Sequence, residues 1–244
     1  MNRQHALLRR PPLLILCAVL VLLGIGALMR AALRDDAPEE AIAQVVRGGG
    51  GEPLPADLPP DLPPEIPRLM AEGRNWRAAR QMREYLENKQ DPRPSVILLA
   101  ARAEAGWGGW ERVRRLLVDA PWLGEAGGEG WLLLAQAMEE EEAWREAADA
   151  YERFLASAPE AAAEERAAAE LRRALALLRI GEVDAATSAL ARIRAQHPTF
   201  AEWAAALMAE SLAERGDTAR VRALRGSVEG GLPAERARRA GIRA

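Results

Sequence analysis

Residues 128–161, GEGWLLLAQAMEEEEAWREAADAYERFLASAPEA, decide the fold. Apolar and small residues recur at helical spacing on both sides of the acidic run 139–142: Trp131, Leu134, Ala135 and Met138 before it, Ala147, Tyr151 and Phe154 after it. Two amphipathic segments joined by a short turn predict a helical hairpin. Ala135 and Ala147 have a mechanical reason to be small, since two helices approach closely only where no large side chain holds them apart. Pro159 closes the unit because proline cannot continue the helical hydrogen-bond ladder.

Working outward, the turn recurs. Gly73, Gly108, Glu142, Gly181 and Gly216 are separated by 35, 34, 39 and 35 residues, a period that marks stacked repeats, with a small insertion where the spacing is 39. After Gly181, Ala186, Leu190, Ile193 and Pro198 repeat the offsets of the second helix; the helix before it, roughly 164–179, has Ala174 at the small position. Upstream, Ile97 and Ala101 precede the turn at Gly106 to Gly109, and Trp110 to Leu117 form a short second helix before Pro121. The first pair is half present, as 76–86, and the last, 200–224, carries Gly216-Asp217 at its turn. Ala, Leu, Arg and Glu dominate from Arg68 onward, so the fold class is all-α.

This pattern resembles the tetratricopeptide-repeat family over residues 68–224, although the same spacing also suits generic helical hairpins. The resemblance implies a right-handed α-solenoid in which neighbouring hairpins supply each other's missing core. It also implies that the first helix of each pair lines a concave groove. Carrying the family's ligand-facing offsets onto this sequence selects Arg102 in the second pair, Gln136, Glu139 and Glu140 in the third, Arg179 in the fourth and Glu210 in the fifth. These mix both charge signs, which suits a protein or peptide ligand better than a polyanion.

The first 67 residues differ from the rest. Residues 13–29, LLILCAVLVLLGIGALM, are uncharged and apolar, and 31–33 can extend them if Arg30 snorkels, which predicts a transmembrane anchor over 13–33. Arg3, Arg9 and Arg10 precede the stretch, while Asp35, Asp36, Glu39 and Glu40 soon follow it, so residues 1–12 are expected in the cytoplasm and the remainder outside it. The localisation implied is the inner membrane, single-pass, with the membrane itself a partner. A cleaved signal peptide would need a small-x-small site, and Gly24-Ile25-Gly26 and Ala27-Leu28-Met29 match poorly. Residues 34–67 read as a Pro/Gly-rich linker, with 53–67 favouring polyproline II, and residues 225–244 as a basic tail.

Catalytic chemistry finds little support. His5 and His197 are the only histidines and Cys17 the only cysteine, so neither a His-pair metal site nor an intrachain disulfide is available. No serine lies in a Gly-x-Ser-x-Gly elbow, and the glycine clusters lack the lysine of a phosphate-binding loop. Four adjacent helical carboxylates at 139–142 point around the helix and are expected to form a solvated helix end. Trp110, Trp131 and Trp144 occupy repeat positions as core residues. Lys89 is the only lysine, and no basic face with interleaved aromatics indicates a nucleic-acid partner. No enzyme activity and no cofactor are expected.

The function expected is a membrane-anchored scaffold for protein–protein interaction in the bacterial cell envelope. A second resemblance gives an alternative. The hairpins with WRAAR at 76–80 and WREAADAY at 144–151 look like the non-catalytic helical region of bacterial lytic transglycosylases. No Glu-Ser followed by that family's Gly-rich and Gln-containing pattern is found, so the alternative is an accessory region of a cell-wall enzyme, in a shortened relative or a fragment, with cell-wall glycan as its ligand.

Overall fold

The computed structural model describes residues 57–226 together with Pro55, Val228 and Pro233. All of them belong to the compact unit Ile42–Ala244; the other unit, Met1–Ala41, contains none of the described residues. Among the described residues ten α-helices follow one another in five pairs: α1 (Glu65–Ala71) with α2 (Asn75–Glu87), α3 (Pro94–Ala105) with α4 (Trp110–Leu117), α5 (Glu129–Glu140) with α6 (Trp144–Ser157), α7 (Ala163–Arg179) with α8 (Val183–Gln196), and α9 (Pro198–Glu214) with α10 (Thr218–Arg225). Each helix packs on its neighbours in sequence, and α3 also touches α5 as α7 touches α9. This is the all-α hairpin stack the periodicity predicts.

One turn is used five times. Gly73, Gly108, Glu142, Gly181 and Gly216 all have positive φ, between 58° and 90°. In each turn the N–H of the following residue donates back five positions, from Arg74 to Leu69, Gly109 to Glu104, Ala143 to Met138, Glu182 to Leu177 and Asp217 to Leu212, at 2.8–3.0 Å. A left-handed residue closing that bond satisfies carbonyls the helix end would otherwise leave bare. The chain can then reverse within three or four residues.

The core follows from the same register. Seven residues before the turn stand Ile66, Ala101, Ala135, Ala174 and Ala209; five after it stand Ala78, Val113, Ala147, Ala186 and Val221; all ten are buried. Small side chains at both offsets bring the helix axes together, and larger ones such as Tyr151, Phe154, Leu190 and Ile193 fill the space between pairs. Trp110, Trp131 and Trp144 are half-buried against the core.

The Pro-rich region departs from the polyproline reading where it is described. Backbone bonds from Leu62 to Pro59 and from Ile66 to Pro63 make turns, and α1 begins at Glu65 inside the expected linker. The prolines permit this because Pro64 is the N-cap and Pro67 lies in the first turn, where a helix needs no N–H donors. Leu58, Leu62 and Ile66 pack on Met82, Val96 and Leu99, while Tyr85 and Lys89 hold Asp61. The first pair is therefore complete.

The membrane expectation is corrected. Among the described residues no helix is long and apolar enough to cross a membrane, and 13–33 lies outside them. The transmembrane element of the fold class, the membrane as partner and the single-pass inner-membrane placement lose their support with it. Residues 1–12, most of 34–56 and the tail arginines 236, 238 and 239 also lie outside the described residues.

Glu142 is the one non-glycine residue with positive φ among the described residues, and its side chain is exposed. Glu142→Gly is expected to stabilise the protein by about 1 kcal/mol, because a side chain strains the left-handed conformation that the other four turns give to glycine. Urea unfolding checks this; equal or lower stability would mean that the Glu142 side chain makes a compensating contact.

Candidate functional site

The expected groove residues lie on the first helices of four successive pairs. Arg102 on α3 is partly buried and makes a two-pronged ion pair with Glu129 at the start of α5. Gln136 and Glu139 are buried on α5, whereas Glu140 beside them is exposed. Arg179 ends α7, exposed, with its guanidinium 5.6 Å from the centre of the Trp144 ring. Glu210 is half-buried on α9.

Glu139 departs most from expectation. In place of a solvated helix end, its side chain is only 5% exposed, and one of its oxygens accepts from Tyr151 Oη at 2.6 Å and from Arg172 Nε at 2.9 Å. The other three glutamates of the run are exposed. Burial raises the Tyr151 phenol well above its ordinary pKa, so it stays a donor at neutral pH. Burial also opposes the charge on Arg172, but attraction to its anionic neighbours outweighs this and its pKa is raised. The triad joins α5, α6 and α7.

A related arrangement serves the second pair. Glu104 on α3 is buried and accepts from Arg83 Nε and Nη2 at 2.6 and 2.8 Å and from Trp107 Nε1 at 2.9 Å. The hydrogen bond to Glu104 raises the pKa of Arg83, which also lies 5.6 Å from the Trp107 ring centre. Trp107 and Trp76 keep 42% and 53% of their surface exposed, unlike the tryptophans packed on the core.

The repeat insertion opens a cleft. Residues 158–162 separate α6 from α7, and α7 has 17 residues against 12 in α5. Between the ends of α6 and α8, over the first half of α7, lies a cavity of about 660 Å³. Leu155, Ala163 and Ala167 supply apolar wall, and Arg166, Arg173 and Arg192 supply charge, with Glu152 and Glu170 paired to the latter two. None of these residues is among the expected groove positions. The spacing of 39 was the one signal in the sequence that could have led to them.

Among the described residues no group of three or more His, Cys, Asp or Glu side chains could hold a metal ion. Residues 129–161 and 168–199 each match the family model for the tetratricopeptide repeat. Together they cover the third and fourth pairs, and the residues between them lie at the cleft. No curated protein and no solved structure matches the chain.

Removing the charge of Glu139 should leave Arg172 buried and unpaired. Glu139→Gln is expected to cost about 3–5 kcal/mol in urea unfolding, whereas Glu139→Leu combined with Arg172→Leu should recover most of that loss. A Glu139→Gln variant within about 0.5 kcal/mol of wild type would show that the pair contributes little.

Proposed function

We propose that this tetratricopeptide-repeat-like chain is a non-catalytic scaffold that holds a protein or peptide partner against the first-helix face of its repeats. The supporting observation is the unbroken stack of five hairpins, two of them matching the repeat family, in which α3, α5, α7 and α9 carry polar residues of both signs at the family's ligand-facing offsets. Arg102, Glu140, Arg179 and Glu210 are the contact residues in this reading. Gln136 and Glu139 lie beneath them and hold α5 in place. Mixed charge favours a partner with its own alternating charges, for which register matters more than total charge.

A second reading keeps the non-catalytic role but changes the ligand. The exposure of Trp76 and Trp107 favours it, since a flat aromatic face stacks well on the C–H face of a sugar. The module would then be the helical accessory region of a lytic transglycosylase-like enzyme, presenting cell-wall glycan to catalysis carried elsewhere.

Two measurements separate the readings. In affinity capture with the purified full chain, Glu140→Lys with Arg179→Glu should release a partner protein that wild type retains, while the melting temperature stays nearly unchanged because both side chains are exposed. Retention of every captured protein by this variant would remove the first-helix face as the site. Soluble peptidoglycan fragments should quench tryptophan fluorescence only under the second reading, and that quenching should disappear in Trp76→Ala with Trp107→Ala; no quenching by wild type eliminates it.

A further inference from the structure

We infer that the cleft between α6 and α8, floored by α7, is a second docking site, and that it takes an acidic peptide segment carrying an aliphatic side chain. The inference rests on the scaffold reading but uses a different face of the repeats.

The cleft's origin is the first argument. Elsewhere the turns recur every 34 or 35 residues, and only here does the spacing reach 39. The extra residues fall in the connection after α6: α6 and α8 both have 14 residues and α7 and α9 both have 17, but five residues, 158–162, separate α6 from α7 where His197 alone separates α8 from α9, and Pro159 and Ala161 among the five line the cavity. The cavity of about 660 Å³ falls within the range of about 300–1,000 Å³ common to ligand sites.

Charge then selects the occupant. Among the lining residues three arginines face two glutamates, a balance of +1. The cations are also open to exchange. Glu152, the partner of Arg173, is 63% exposed, and Arg192, the partner of Glu170, is 57% exposed. Pairs so exposed to water hold each other weakly, so a ligand carboxylate can take the place of either glutamate at little cost. Arg173 Nε is buried without any hydrogen-bond partner, and Arg166 is fixed in the wall by donating to the carbonyls of Leu155 and Ala158. Leu155, Ala156 and Pro159 offer an apolar surface beside these charges. The two interspersed glutamates disfavour a dense polyanion. A carboxylate next to an aliphatic residue fits both halves of the lining.

The test uses the full chain and three fluorescein-labelled probes read by anisotropy: a peptide of alternating Glu and Leu, its Lys and Leu counterpart, and polyglutamate. The Glu–Leu peptide should bind about tenfold or more tightly than either of the others. Arg173→Ala with Arg192→Ala should weaken it by about tenfold. Ala163→Trp, at the exposed first residue of α7, should block it sterically without altering charge and serves if the arginine variant fails to fold. Glu140→Lys with Arg179→Glu should leave it unchanged. Absence of Glu–Leu binding, equal binding of polyglutamate or of the Lys–Leu peptide, or full binding by the folded Ala163→Trp protein would each overturn the cleft assignment. Failure of the first-helix face shows separately, as partner capture indifferent to Glu140 and Arg179 while the cleft still binds its peptide.

Discussion

A single backbone conformation, the left-handed residue at the end of each first helix, is what the rest of the fold depends on. Because that residue lets the following N–H reach back five positions, each hairpin reverses in three or four residues and its helices meet at a fixed register. The register in turn decides which side chains must be small. Alanine at 101, 135, 174 and 209 follows from it, as do the buried residues five positions beyond each turn. Glycine accepts the conformation without strain in four turns, and Glu142 tolerates it in the fifth because the surrounding hairpin over-determines the backbone.

Within that frame, charge adds a second link between neighbouring helices. Glu104 and Glu139 sit near the ends of their helices, each buried and each satisfied by an arginine from a neighbouring helix and by an aromatic donor. Such a pair is a weak source of net stability but a strong specifier, since any other arrangement leaves a bare charge in the interior. Between α5 and α7 the Arg172 side chain makes the link, at 2.9 Å from Glu139.

Much of this was legible in the sequence, for reasons of range. The five turn positions were visible because the conformational demand is local, and even Glu142 could be placed by its distance from Gly108 and Gly181. The helix Trp110–Leu117 was bounded by a glycine turn before it and Pro121 after it. The first helix was missed because prolines suggest extended chain, and only their positions within the first turn make them compatible with a helix. Burial of Glu139 could not be read locally either, since it depends on Arg172, 33 residues away, while its three neighbours in the acidic run stay exposed. The cleft was present only as an irregular spacing, with nothing to say whether extra residues would bulge outward or push neighbouring helices apart.

The predominance of packing between helices close in the chain has a kinetic consequence. Bringing such neighbours together closes only a short loop, so little entropy is lost before contacts begin to form. Folding can start at whichever hairpin forms first and spread in both directions by accretion. Among the described helices, the interior pairs, flanked on both sides, then become the last to open. A chain assembled this way carries a gradient of persistence along its own length, highest where the recognisable repeats lie.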